Sequence, residues 1–322
     1  MIAAFFAAVA VVGLAPAGAI TVKLPTLGQL EQAARSGDAV ELERVAARLG
    51  VVRLARIASR GTRAERLAAL RAIPLEDDAW AVLPEVAQLG GGADFEVAEA
   101  AATCARKIAE GLSPEVADAR EIPRDVPEKA ARELSALAAR AELAPSVRVA
   151  ALAALGALGT VAPVDIAALE KLLSDEEPQV RRAAAESLDG ASAAEPALEK
   201  TLAADPVATV AAAAAATLCR DVPPAPVAVP PPAKGKTKKP VASSMPDTLA
   251  RAAEARAASL APAARARLRA LATDGKVPLA DRLDLLGCVR VAAQPADQQL
   301  LDKLARRPPE SLRRRARSLG GR

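Results

Sequence analysis

The sequence predicts an all-α fold, an α-solenoid of stacked helical hairpins, on three observations. A phrase made of a Pro or acidic approach, an apolar residue and then a small-residue helix recurs from Glu65, Val97, Val147, Val180 and Val210, at separations of 32, 50, 33 and 30 residues. A period near 32 is the length of one helical hairpin, and such hairpins stack. Aromatic residues make up 1% of the chain, and alternating strand patterns rich in Val, Ile and Thr are missing. Alanine is the largest part of the 52% hydrophobic share, so helices must pack by close approach of small side chains rather than by bulky interdigitation.

Each segment follows from its composition. Residues 1–19 are apolar for about fourteen positions and end with Ala17 and Ala19 where a signal peptidase prefers small residues. They read as a cleaved secretory signal with no Lys or Arg ahead of the apolar run, too short to span a bilayer comfortably. The expected location is periplasmic or secreted, and the expected mature chain starts near Ile20, with no integral membrane segment after cleavage. Residues 20–221 form the solenoid. Leu27–Ala34, Val40–Leu49 and Val51–Ala58 supply amphipathic helices with the polar outer face of an end cap, and the repeats proper run from about Gly61 to Asp221.

Ser113-Pro114-Glu115 and Asp205-Pro206 each offer an N-cap followed by a proline suited to the first turn. Gly90-Gly91-Gly92, Gly111, Gly159 and Gly190 are expected to close helices in the left-handed conformation. The 50-residue spacing holds an insertion with Glu121-Ile-Pro-Arg-Asp-Val-Pro127. Residues 222–246 are a Pro- and Lys-rich linker expected to be extended and solvated. Residues 247–322 return to helical periodicity as a basic region of degenerate repeats, echoed in Pro278-Leu-Ala-Asp-Arg-Leu-Asp-Leu-Leu286.

The chain contains no histidine, which removes His-based triads, imidazole zinc sites and His-ligated haem. Cys104 with Lys107 is a chance spacing on one helix rather than a nucleophile with its base. The pairs Asp77-Asp78 and Asp175-Glu176-Glu177 read as solvated turns rather than acid/base or calcium sites. No catalytic residue, cofactor or metal site is expected. Three cysteines do not make a disulfide framework, and buried small hydrophobes are their simplest role. A Cys219–Cys288 bridge is the sharper alternative.

Charge gives the strongest functional hint. Residues 1–222 hold 23 Lys and Arg against 31 Asp and Glu, a balance of −8, and residues 223–322 hold 20 against 8, a balance of +12. Lys234, Lys236, Lys238 and Lys239 crowd the linker, and Arg313, Arg314, Arg315 and Arg317 crowd the terminus. These are the candidate contacts for an anionic partner such as an envelope component.

The segment Ser174-Asp-Glu-Glu-Pro-Gln-Val-Arg-Arg-Ala-Ala-Ala-Glu-Ser-Leu188 resembles the HEAT repeat, in the short bacterial form of phycobilin-lyase-like proteins. The resemblance is close over 145–219 and looser over 61–110. It implies a polar ladder between neighbouring repeats, with Asp175, Arg181 and Arg148 at the matching positions. Ala98 and Ala211 interrupt it. Enzymatic relatives of deoxyhypusine-hydroxylase type need His ligands that this chain lacks, and a tetrapyrrole lyase needs aromatic and His contacts.

The expected function is therefore a non-enzymatic exported scaffold for protein partners, with a basic C-terminal region. The alternatives are a cytoplasmic nucleic-acid-associated repeat protein and an accessory, lyase-like chaperone subunit. Nucleic acid is disfavoured by the acidic repeats and by having only Trp80 and Phe95 to stack on bases.

Overall fold

The computed structural model describes residues 25–219, 260–291 and 295–304. Residues 1–24, 220–259 and 305–322, which include the leader, the linker and the predicted contacts Lys234, Lys236, Lys238, Lys239, Arg313, Arg314, Arg315 and Arg317, lie outside the described residues.

Among the described residues the regular elements are helices. The chain opens with α1 (Leu27–Ser36) and α2 (Ala39–Leu49). Six hairpins follow: α3 (Val51–Arg60) with α4 (Arg63–Ala72), α5 (Leu83–Leu89) with α6 (Phe95–Glu110), and, after a short extra helix α7 (Pro114–Ala119), α8 (Asp125–Ala139) with α9 (Pro145–Leu158). The last three are α10 (Ile166–Leu172) with α11 (Pro178–Ser187), α12 (Glu195–Ala204) with α13 (Ala208–Cys219), and α14 (Pro262–Thr273) with α15 (Leu279–Val291). Helix α16 (Pro295–Leu304) packs on α15.

Within every pair the two helices touch, and the second helices form an unbroken row: α4 on α6, α6 on α9, α9 on α11, α11 on α13, α13 on α15. The first helices stack beside them from α3 through α5 and α8 to α10; the 3₁₀ turn Ser192–Ala194 lies between α10 and α12, and α12 meets α14. The C-terminal pair is thus the next layer of the solenoid. Helix α3, expected in the cap, is the first member of a repeat pair, and α7 accounts for the 50-residue spacing.

Local signals place these ends. Thr26 with Gln29 and Thr62 with Glu65 form reciprocal capping boxes at α1 and α4. Ser113 caps α7 with Pro114 in the first turn, as its sequence predicts. Asp205 differs: α13 starts at Ala208, and the Asp205 carboxylate is recruited by a neighbouring repeat. The glycine expectation holds only in part. Gly190 is left-handed at φ 76°, but Gly90, Gly111 and Gly159 end their helices with φ of −62°, −81° and −56°. The left-handed helix end falls instead at Gly37, and Gly50 combines φ 74° with an extended ψ of 154° to turn the chain between α2 and α3. Glu121 adopts φ 51° after α7, where Ile122 N–H reaches back to the Ala117 carbonyl at 2.9 Å.

A continuous apolar core runs from Leu30 to Leu304. Leucine fills its largest buried positions, among them Leu54, Leu70, Leu134, Leu155 and Leu188, while alanine sets the spacing. Helix α13 shows why: Val210 to Ala215 are all buried, because α11, α12 and α15 close around it. Only methyl-sized side chains admit neighbours on so many sides. Gly156 of α9 lies against Ser187 of α11, where an added Cβ would come within 3.1 Å of the Ser187 Cα.

Candidate interaction surfaces

A row of arginines occupies the fourth position of three second helices, α4, α9 and α11. Arg66 of α4 donates from Nε to the Ala58 carbonyl at 2.9 Å, and Arg148 of α9 does the same to Ala138 at 2.9 Å. Each places a cation on carbonyls in the last turn of the preceding helix, which have no partner within that helix. Arg148 is 3% exposed and also grips Asp175 of the next repeat with both terminal nitrogens. Arg181 of α11 repeats the move on Asp205 at 2.8 and 3.2 Å, and donates to the Asp175 carbonyl at 2.9 Å.

Each aspartate also accepts from its own turn, Asp175 from Glu177 N–H at 3.0 Å and Asp205 from Val207 N–H at 2.8 Å. The repeat therefore needs the carboxylate in the turn ahead of the second helix and the arginine at that helix's fourth position. Burial raises the Asp175 carboxyl, but hydrogen bonds from Arg148 and Glu177 and the charges of Arg148 and Arg181 outweigh it and hold the pKa below the ordinary value. Asp175 is thus a part-buried structural anion, as the resemblance implies, rather than the solvated turn residue its acidic run suggests. The interruptions occur where predicted: Ala98 and Ala211 are buried without polar contacts to make, and in the α6 repeat Arg63 approaches Asp94 at 3.4 Å instead.

Two grooves open between neighbouring first helices. One, of about 750 Å³, lies along the ladder between α10 and α12 and is lined by Lys171, Lys200, Asp175, Arg181 and Asp205. The other, of about 530 Å³, separates α3 from α5, with Ala55, Arg56, Ser59 and Arg60 facing Glu85, Val86, Gln88 and Leu89.

The thiol chemistry is structural. Cys104 is free and buried, and burial pushes its thiol well above the usual range despite Lys107, so it is not an activated nucleophile. Cys219 is disulfide-bonded; Cys288 sits on α15 with its side chain outside the described residues. Trp80 is packed into the core with its indole N–H buried and unpartnered, whereas Phe95 is 53% exposed. Of the two rings available for stacking in the sequence, one is therefore occupied by packing. Among the described residues no helix is long and apolar enough to cross a membrane, and no group of three or more acidic or thiol side chains is placed to hold a metal.

Stacked helical hairpins in two parallel rows, joined by a buried Arg–Asp ladder, define an α-solenoid. Residues 166–190 match the HEAT repeat family model, covering α10, α11 and the turn between them, so this hairpin is a HEAT repeat. No curated protein matches the sequence. Among solved structures, the crystal structure of an engineered protein from the Northeast Structural Genomics Consortium aligns at 16% identity over 91% of this chain and 94% of its own, with a TM-score of 0.28, too low to support any conclusion.

Proposed function

We propose that this chain is a non-enzymatic, exported scaffold that holds protein partners on a rigid HEAT-repeat framework and uses its basic C-terminal region to attract an anionic one. The scaffold reading rests on the stack itself: a buried ladder and a continuous core fix a long surface while leaving exposed residues free to diverge. Export is favoured by the signal-like residues 1–19 and by the bonded state of Cys219, since disulfides persist in oxidising compartments. Cys288 is the proposed other half, because α13 packs on α15 and Cys104 is free. Peptide mapping without reductant tests the pairing, and mass spectrometry of the mature N-terminus tests export; intact Met1 in cytosol would refute it.

The partner test must respect the stacking. Truncation after Asp221 would strip α14 and α15 from α12 and α13 and expose an alanine-rich core. The clean perturbations are a stop after Leu304 and Gln substitutions at Lys234, Lys236, Lys238 and Lys239. Capture of an anionic envelope partner should fall with these changes and weaken steeply as the Debye length shrinks to about 8 Å at physiological salt. Retention of every partner without salt dependence would place recognition on the repeats alone.

A further inference from the structure

The solenoid carries its own charge division, separate from the basic C-terminal region. Residues 25–72 hold nine Arg and no Lys against five Asp and Glu, while residues 73–219 hold 12 Lys and Arg against 25 Asp and Glu. Most arginines of the solenoid are engaged: Arg35, Arg44, Arg63, Arg120, Arg148 and Arg181, for example, all pair with carboxylates. Arg53, Arg56 and Arg60 of α3 make no ion pair or hydrogen bond among the described residues, and all three are exposed. At 100° per residue they fall within roughly 60° of the helix circumference, so three uncompensated cations point the same way. Two of them, Arg56 and Arg60, form one wall of the groove between α3 and α5. Ala55 lines the same wall, and Leu89 lines the opposite one.

We propose that this groove is a docking site for an acidic peptide segment of a protein partner, with two carboxylates on Arg56 and Arg60, Arg53 adding attraction at the rim, and an apolar side chain lying between Ala55 and Leu89. It deepens the scaffold reading and rests on it. Charge complementarity selects the occupant. The three cations are all arginines, whose planar fork matches a carboxylate in bidentate geometry, and Arg clusters are a recurrent means of reading acidic motifs. Arg56 and Arg60, one helical turn apart, are spaced for carboxylates four residues apart on a helix or two apart on an extended chain. Glu85 on the far wall repels a uniformly anionic surface but accepts a peptide N–H or a basic side chain, which favours a peptide of mixed character over a lipid bilayer. The volume of about 530 Å³ is of the size that holds a few side chains.

The test uses the full chain and fluorescence polarisation with a labelled acidic peptide, Glu-Leu-Glu-Asp-Leu-Glu with blocked ends, beside its Gln/Asn counterpart. Three proteins are compared: the natural sequence, the Arg56→Gln/Arg60→Gln double variant, and a variant with Lys234, Lys236, Lys238 and Lys239 changed to Gln. Unchanged circular dichroism and urea midpoints keep the comparison among folded proteins. The proposal expects the acidic peptide to bind better than the neutral one, the α3 variant to lose on the order of tenfold or more in affinity, and the Lys variant to bind as the natural chain does. Equal binding by the α3 variant overturns it; if the Lys variant is then the one that fails, the linker is the acceptor and the scaffold reading stands. No binding by the natural chain, or no preference for the acidic peptide, also overturns it. Arg56- and Arg60-dependent binding to phosphatidylglycerol vesicles without peptide binding overturns it in favour of a membrane surface.

Discussion

Replacing Arg148 with Met tests the ladder. Methionine keeps the apolar stem of the side chain but deletes the guanidinium, so the site loses its bonds to Asp175 and its Nε–H bond to the Ala138 carbonyl. Arg148 is 3% exposed and the Asp175 side chain 13%. Breaking a buried pair costs about 3–5 kcal/mol because one charge is left uncompensated, and the partial exposure of Asp175 argues for the lower end. An expected loss of about 3 kcal/mol shifts a urea midpoint by roughly 1–2 M for m near 2 kcal/mol/M. Since a solenoid can open piecewise, hydrogen exchange in α9 and α11 should be read with the global transition.

The double variant Arg148→Met/Asp175→Asn should recover part of the loss, giving a coupling of about 1.5–3 kcal/mol. The pH sign follows from the lowered Asp175 pKa: its stabilisation is present above the unfolded carboxyl value, near 3.9, and is lost as pH falls through the lower folded value. The Arg148→Met variant should show a shallower acid loss. A coupling below about 0.5 kcal/mol, with identical acid profiles, would refute the view that the ladder ties one repeat to the next.

Ala184→Leu and Ala213→Leu should each cost about 1–3 kcal/mol in denaturant stability, because both alanines are buried between helices with no room for added carbons; neutrality at both would mean the register is wrong. Glu121→Gly should raise the melting temperature slightly, through a gain of up to about 1 kcal/mol, because glycine tolerates φ 51° at this helix end. Glu76 is held above its ordinary pKa by burial and by Asp77, Asp78 and Glu43. Its protonation therefore favours folding, so that contribution is present below the unfolded pKa and lost as pH rises through the folded one; Glu76→Gln should flatten this part of the pH–stability curve, and an unchanged curve would count against the shift.

The hairpin period and an insertion around Glu121–Pro127 were legible because each depends on spacing along one chain, and the resemblance of 174–188 to a HEAT repeat pointed to Arg148, Asp175 and Arg181. Asp205 reads as an N-cap because Asp before Pro has the same pattern whether the carboxylate serves only its own turn or also an arginine 24 residues earlier; only packing decides. The φ of Gly90, Gly111 and Gly159 was illegible for a related reason: glycine permits the left-handed turn but does not impose it. The α3 arginines are not legible in the sequence because a charge balance over 222 residues averages an arginine-rich end with an acidic remainder. What marks them is the absence of partners, and that exists only once the carboxylates have been placed in space.

The two helix rows differ in how they join, and this has a mechanical consequence. Second helices touch at every layer, with Gly156 against Ser187 and a hydrogen bond from Thr217 to the Ala185 carbonyl, whereas the first-helix row is parted by the grooves beside α3 and α10. A stack fastened along one edge and slotted along the other bends like a leaf spring, with its compliance in the slots. Changing its curvature would alter groove width with little strain in the fastened edge, so a ligand that wedges one slot open would be felt as a change of arc along the whole stack.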